Sequence, residues 1–368
     1  MLHRLSIMGI LILALTLVAC VNGVGDKETL IATDPGFNLL VVAESEVQLK
    51  RDGWSDFYHT TFGAVLYRGD QLRLLDEAKA VVLCDNLTVW TVPPGAPSGV
   101  TNGCPPSPDP PLVSGESQIG STRGGSDPLI PYIISPRKTK VLTGTPVLRW
   151  NTVPNVISYT VRIRGEGVDW KIETRATEIA YSGGPRLKPG VSYLLVVKAD
   201  NGKSSQDEGV PGLGFGLADD NEAQHVHATA EQISKLSLSN EAKSFALAQS
   251  YAGHEFVAEA IETLEELINA KSQTPAVYRA VAALYRQIDL NRLAEERYLY
   301  ALELSQQMGD IEGQALAQNA LGLIYAALGN TSESVQRLQK AKAIYQKLGD
   351  TITAQQIQDR IAELLKPR

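Results

Sequence analysis

The chain has 368 residues, 43% of them hydrophobic and 20% charged, and 34 Lys and Arg stand against 41 Asp and Glu for a net charge of -7. That length exceeds one ordinary domain of about 100 to 200 residues. The acidic balance excludes nucleic acid and an anionic lipid surface as the main partner. At the N-terminus His3 and Arg4 precede an apolar run over 5–19, which closes with small residues before Cys20. A charged start, a short apolar stretch and small residues before a cut describe a secretory signal peptide. The run is shorter than the roughly 20 apolar residues of a bilayer-spanning helix. Val21-Asn22-Gly23 follow it, with no second apolar segment.

Leu17-Val18-Ala19-Cys20 resembles the lipobox of bacterial lipoproteins. The resemblance implies that 1–19 is removed, that Cys20 is acylated, and that 20–40 is a tether. One acyl chain holds a protein only marginally, at roughly 0.8 kcal/mol per buried CH₂. The family's diacylglycerol plus amide-linked chain implies a stable anchor facing the periplasm. Val21 after Cys20 favours the outer membrane by analogy with enteric bacteria, and the choice between inner and outer membrane stays open. With Cys20 committed to lipid, Cys84 and Cys104 remain. In an oxidising compartment two cysteines most simply form one disulfide, two free thiols or a metal site being the alternatives. No His lies near them in sequence to support the metal.

From 41 to 93 short apolar runs are separated by turns such as Gly69-Asp70 and Asp85-Asn86, which reads as a small antiparallel β unit. Gly63-Ala64-Val65-Leu66-Tyr67-Arg68-Gly69-Asp70-Gln71-Leu72 is similar to the FecR-type periplasmic domain, whose Gly-Asp-x-Leu turn precedes a strand like 78–83. This domain is expected over 41–104. Residues 105–130 are rich in Pro, Ser and Gly and are expected to form an extended, semi-rigid spacer.

A second β unit is expected over 131–215. In Tyr159-Thr160-Val161-Arg162-Ile163-Arg164 the apolar residues sit two apart, which puts them on one face and the arginines on the other. Leu187-Lys188-Pro189-Gly190-Val191-Ser192-Tyr193 resembles the tyrosine corner of immunoglobulin-like and fibronectin type III sandwiches. Trp150 matches the early-strand Trp that packs the core of fibronectin type III modules. Both residues are read as core and not as function.

From 216 the period turns helical, with a connector over 216–240. Tyr251 and Tyr285, Ala260 and Ala294, and Leu264 and Tyr298 each differ by 34, the period of the tetratricopeptide repeat. Leu321-Gly322-Leu323-Ile324-Tyr325 resembles that family's Leu-Gly-x-x-Tyr signature. The resemblance implies three repeats over 241–350, divided as 241–274, 275–314 and 315–350, and a solvating cap helix with its tail over 351–368. Small residues are expected at Ala248, Ala282 and Gly322, where the second helix of each repeat crosses the first. The fold class is therefore multidomain, with an all-β N-terminal half and an all-α C-terminal solenoid.

No residues point to an enzyme. The sequence holds no G-x-S-x-G elbow, no H-E-x-x-H and no P-loop. His225 and His227 are two apart, which sets their rings on different faces of a helix, so no metal is expected there. Glu259, Glu262, Glu265 and Glu266 read as a solvated helix face, and no cofactor is implied. Asn86-Leu87-Thr88 matches a glycosylation pattern that a bacterial lipoprotein does not use.

Function is therefore expected from surfaces. By the repeat family's geometry the concave face carries Phe245 and Gln249, then Arg279 and Arg286, then Asn319 and Leu323. Gln249, Arg279, Arg286 and Asn319 are the candidate partner-binding residues, exposed in the groove, with the two arginines two turns apart. The carboxylate clamp of chaperone-binding repeats is absent, since the equivalent positions hold Phe245, Ala283 and Ala320. The expectation is a non-enzymatic envelope scaffold that takes a protein or peptide in its groove. The alternative is a periplasmic signalling or regulatory sensor of FecR-like type.

Replacing Cys20 by Ala tests the anchor. The variant is expected in the soluble periplasmic fraction, whereas the parent stays with membranes through a carbonate wash. A variant that still sediments with membranes contradicts the lipidated cysteine.

Overall fold

The computed structural model describes residues 36–105, 124–211 and 213–366. Cys20, the signal peptide and most of the tether lie outside these residues, as does the spacer over 106–123. Within them the N-terminal half is β and the C-terminal half helical. No helix among the described residues is long and apolar enough to cross a membrane.

The first unit holds β1 (Asn38–Glu44), β2 (Val47–Lys50), β3 (Tyr58–His59), β4 (Val65–Leu66), β5 (Gln71–Leu74), β6 (Lys79–Leu83), β7 (Val89–Thr91) and β8 (Ser98–Gly99), then a single turn α1 (Val100–Gly103). They form two sheets, ordered β4-β1-β6-β7 and β3-β2-β5-β8. β1 starts at Asn38, so the last three residues assigned to the tether belong to the sheet. Leu40, Ala80 and Val82 face the second sheet, meeting Val47, Leu49, Leu72 and Leu74. Cys84, just after β6, is bonded to Cys104, just after α1, with 5.3 Å between their Cα atoms. Closing a loop of sequence separation 20 removes denatured-state freedom equivalent to about 3 kcal/mol. Gly103 lies against the Trp90 ring, where a Cβ has no room.

The second unit holds β9 (Ile133–Ser135), β10 (Thr139–Val141), β11 (Val147–Trp150), β12 (Tyr159–Gly165), β13 (Val168–Thr174), β14 (Glu178–Ala180), β15 (Ser192–Ala199) and β16 (Gly214–Leu217). Its sheets run β14-β11-β9 and β10-β16-β15-β12-β13, antiparallel except for the β10–β16 pair. Tyr159, Val161 and Ile163 point into the shared core while the residues between them point out. Trp150 is buried with its ring edge-on to Tyr159 at 5.6 Å. The Tyr193 hydroxyl accepts the Lys188 N–H at 2.7 Å, the local hydrogen bond of a tyrosine corner.

The helical half runs α2 (Asp220–Lys235), α3 (Asn240–Gly253), α4 (Val257–Asn269), α5 (Pro275–Gln287), α6 (Asn291–Gln307), α7 (Ile311–Ala327), α8 (Thr331–Leu348) and α9 (Thr351–Leu364). Asp219 caps α2 and Ser239 caps α3 through their side-chain oxygens. Pairs α3–α4, α5–α6 and α7–α8 stack as helical hairpins, and α9 closes the row with Ala354, Ile357 and Ile361 turned inward. α7 begins at Ile311, four residues before the expected repeat boundary. Ala248 and Ala282 are buried in the first helices of their pairs, and Gly322 backs onto Leu338 of α8.

Gly322 decides between two opposing effects. In an exposed helix, Gly→Ala gains up to about 1 kcal/mol. A Cβ on Gly322 would sit 2.6 Å from Cγ of the fully buried Leu338. Overpacking of that kind costs about 1–3 kcal/mol, so the crowding wins. Gly322→Ala is expected to lower the urea unfolding midpoint, and a rise in midpoint would place the α7–α8 crossing elsewhere.

Candidate functional site

The face of the first helices α3, α5 and α7 is the surface expected to take a partner, and the chain's own first β unit packs on it. Sheet β4-β1-β6-β7 has two apolar faces. The face turned away from sheet β3-β2-β5-β8 carries Phe37, Leu39, Val41 and Leu83, which share one core with Phe245, Ala246, Ala276, Val277 and Ala280 of α3 and α5. Phe62, in the turn before β4, meets Phe245 edge-on at 5.6 Å. Gly63 has positive φ and backs onto Ala276 and the Phe245 ring, so no side chain fits there. Helices α5 and α7 are consequently buried around most of their circumference.

An ion-pair network locks this seat. Arg51, directly after β2, reaches Glu312 at the start of α7 through Nε–Oε1 at 2.5 Å and Nη2–Oε2 at 2.8 Å. Its Nη1 donates to Asp70 at 2.5 Å and its Nη2 also to the Val65 carbonyl at 3.0 Å. The guanidinium lies 5.6 Å from the Trp54 ring centre and 5.3 Å from that of Tyr67. Burial works against its charge, but Glu312 and Asp70 more than offset this and hold its pKa above the ordinary value. Asp70 is the acid of the Gly-Asp-x-Leu turn, and it also accepts the Tyr67 N–H at 2.9 Å. The motif thus closes a turn and presents a carboxylate to the clamp.

Helix ends supply further contacts. Carbonyls of a last helical turn lack intrahelical donors and carry partial negative charge. Ser55 N–H donates to the Leu348 carbonyl at 2.9 Å and the Tyr58 hydroxyl to that of Lys347 at 2.8 Å, both at the end of α8. Arg137, fully buried ahead of β10, donates from Nε to the Ile288 carbonyl at 2.7 Å and pairs with Glu208 at 2.9 Å. Lys138 pairs with Asp289. Along the α3–α4 turn, Lys140 N–H donates to the Glu255 carbonyl at 3.0 Å, and Leu142 N–H to Glu259 at 2.7 Å. Burial raises the Glu259 pKa to about 7. The end of the spacer is tied down too: Gly125 N–H donates to Glu208 at 2.7 Å.

The exposed groove expected from the repeat pattern is therefore corrected. Gln249 is 5% exposed, Arg279 6%, Arg286 3% and Asn319 5%. Phe245 and Leu323 are buried as well. Arg279 is structural: its Nη1 donates to Asp310 at 3.1 Å and to Ser305 at 3.3 Å. Asp310 in turn caps α7 through Gly313 N–H at 2.8 Å and receives the Thr61 hydroxyl of the first β unit. The period of a helix reports which residues share a face. It does not report a domain arriving from 200 residues upstream to cover that face.

The structure brings other candidates together only in part. The His225 ring lies 5.3 Å from that of His254. Among the described residues no group of three His, Cys, Asp or Glu forms a metal site. An open cleft of about 710 Å³ lies beside β10 and β16, lined by Lys138, Lys140, Arg164, Tyr193, Glu222 and Glu255. Lys140 pairs there with Glu222 at 2.5 Å and Glu255 at 2.9 Å, and Lys138 is held by Asp289, so the cleft's lysines are engaged within the chain.

No protein-family model matches the chain, and no curated protein matches it. Among solved structures, the chain is similar to the crystal structure of BtubC (BKLC) from P. vanneervenii. The TM-score is 0.29 and the identity 17%, with 40% of this chain and 77% of that chain covered.

The corrected placement of Arg279 reverses the expected result of removing it. An exposed Arg changed to Ala stays within about 0.5 kcal/mol. Removing one partner of a buried ion pair costs about 3–5 kcal/mol, because the other charge is left buried. Arg279→Ala is expected to lower stability on the larger scale in urea unfolding of the full chain. A change within the smaller range would show that Arg279 faces solvent.

Proposed function

We propose that the chain is a non-enzymatic, lipid-anchored envelope protein that acts as an interaction scaffold facing the periplasm. In this reading a FecR-like unit, a fibronectin type III-like sandwich and a tetratricopeptide-like row are displayed from the tether at Cys20. The observation that carries the reading is the seating of one folded β surface on α3, α5 and α7 of the helical row. A face that holds Phe62, Gly63 and Arg51 of its own chain is a protein-recognition surface, with an apolar centre and a charged lock. Partners then meet the array on faces that the β unit leaves open, such as α6 with exposed Leu299, Tyr300 and Met308.

A second reading, a regulatory sensor of FecR-like type, draws on the same seat. Glu312 of α7 pairs with both Nε and Nη2 of Arg51. Displacement of the β unit by a signal would uncover Phe245 and remove Thr61 from Asp310, the partner of Arg279.

Photo-crosslinking in the native envelope tests the proposal. A benzophenone amino acid at Tyr300 or Met308 is expected to yield a reproducible adduct with an envelope protein, and one at Phe62 only an intramolecular link. Adducts from Phe62 alone would favour the displaceable sensor. No adduct from any surface site on the helices or the sandwich would overturn the scaffold.

A further inference from the structure

The five-stranded sheet of the second unit ends in β13, which hydrogen-bonds to β12 on one side and to no other strand among the described residues. An edge of seven residues presents unpaired N–H and C=O groups that another extended strand can take up. Val168, Trp170, Ile172 and Thr174 are buried or half-buried on the core side. Trp170 stands edge-on to Tyr181 at 5.1 Å. Asp169, Lys171 and Glu173 are exposed on the other side, and their signs alternate.

Those three charges are unequally satisfied. Asp169 is held bidentately by Arg162 at 2.6 and 2.5 Å. Lys171 sits directly across the ladder from Arg162, a destabilising like-charge arrangement. Among the described residues neither Lys171 nor Glu173 has an ion-pair partner.

An antiparallel pair of identical edges is related by a two-fold axis, and residues opposite each other share a face of the sheet. The axis must then pass through a residue, and charge decides which one. Centred on Lys171, the pairing sets Lys171 against itself and Asp169 against Glu173, so every charged contact repels. Centred on Trp170, it asks Lys171 to share the Asp169 carboxylate with Arg162. Centred on Ile172, it sets Lys171 against Glu173 twice, Trp170 against Thr174 twice and Ile172 against its own copy. That register satisfies the two unpaired charges and leaves the Arg162–Asp169 pair intact.

We propose that the free edge of β13 is a self-association surface whose partner is a second copy of this chain, paired antiparallel about Ile172. Two five-stranded sheets then become one continuous sheet, and the half-exposed Trp170 and Ile172 gain neighbours. The backbone ladder supplies the adhesion, and the Lys171–Glu173 pairs select the register, as charges across an interface generally do.

Charge reversal and its rescue test this pairing by sedimentation of the full chain over a concentration series. The parent is expected to dimerise. Lys171→Glu sets acid against acid and should weaken the dimer by about tenfold or more, while removing the like-charge contact with Arg162. Adding Glu173→Lys to that variant restores opposite signs and should restore the dimer. Ile172→Cys places two thiols across the axis and should give an oxidised dimer on a non-reducing gel. A parent that stays monomeric overturns the proposal. So does a dimer indifferent to Lys171→Glu, one that the double reversal fails to restore, or one that does not cross-link at Ile172.

Discussion

A sheet with two apolar faces cannot stand at the surface of a protein, and the rest of this structure follows from that constraint. Sheet β4-β1-β6-β7 buries Leu40, Ala80 and Val82 on one side and Phe37, Leu39, Val41 and Leu83 on the other. Burying a large aliphatic or aromatic side chain is worth roughly 1.5–3 kcal/mol, so the second face alone supplies on the order of 10 kcal/mol if it is covered. Helices α3 and α5 provide the cover. Against that sum, the Arg51–Glu312 pair contributes orientation more than strength, because the desolvation of buried charges offsets much of their attraction. The apolar face determines that the β unit docks, and the guanidinium determines in which register.

The helical row gains in return. A stack of hairpins leaves the C-terminal carbonyls of its helices without intrahelical donors. Arg137 at Ile288, Lys140 at Glu255, and Ser55 and Tyr58 at the end of α8 are such donors, drawn from both β units. Each unit thus satisfies polar groups that the other leaves open. Asp310 shows the coupling at a single residue: it caps α7, holds Arg279 of α5 and receives Thr61 of the first β unit.

This mutual seating moves the interaction surfaces outward. A groove filled by the chain's own sheet offers a partner nothing unless the sheet leaves. The exposed features lie elsewhere, at Leu299 and Tyr300 of α6 and along the free edge of β13, where association costs the fold least.

Much of the architecture was legible in the residues. The 34-residue spacing of Tyr251 and Tyr285, the small residues at Ala248, Ala282 and Gly322, and the two-residue alternation of Tyr159, Val161 and Ile163 are local patterns. Backbone periodicity imposes such patterns wherever one face of an element is buried. The Lys188–Tyr193 bond is likewise local, and the Cys84–Cys104 bridge joins the two cysteines left within one short loop. The run Ala80-Val81-Val82-Leu83 was legible as a strand, but Leu39 and Leu40 were assigned to the tether, and nothing in either run told what would cover the second face of their sheet. That cover, and with it the burial of Gln249, Arg279, Arg286 and Asn319, was decided by tertiary structure alone. Arg51 and Glu312 are 261 residues apart, and no periodicity along a chain encodes a contact between two elements that each satisfy their own local pattern without it.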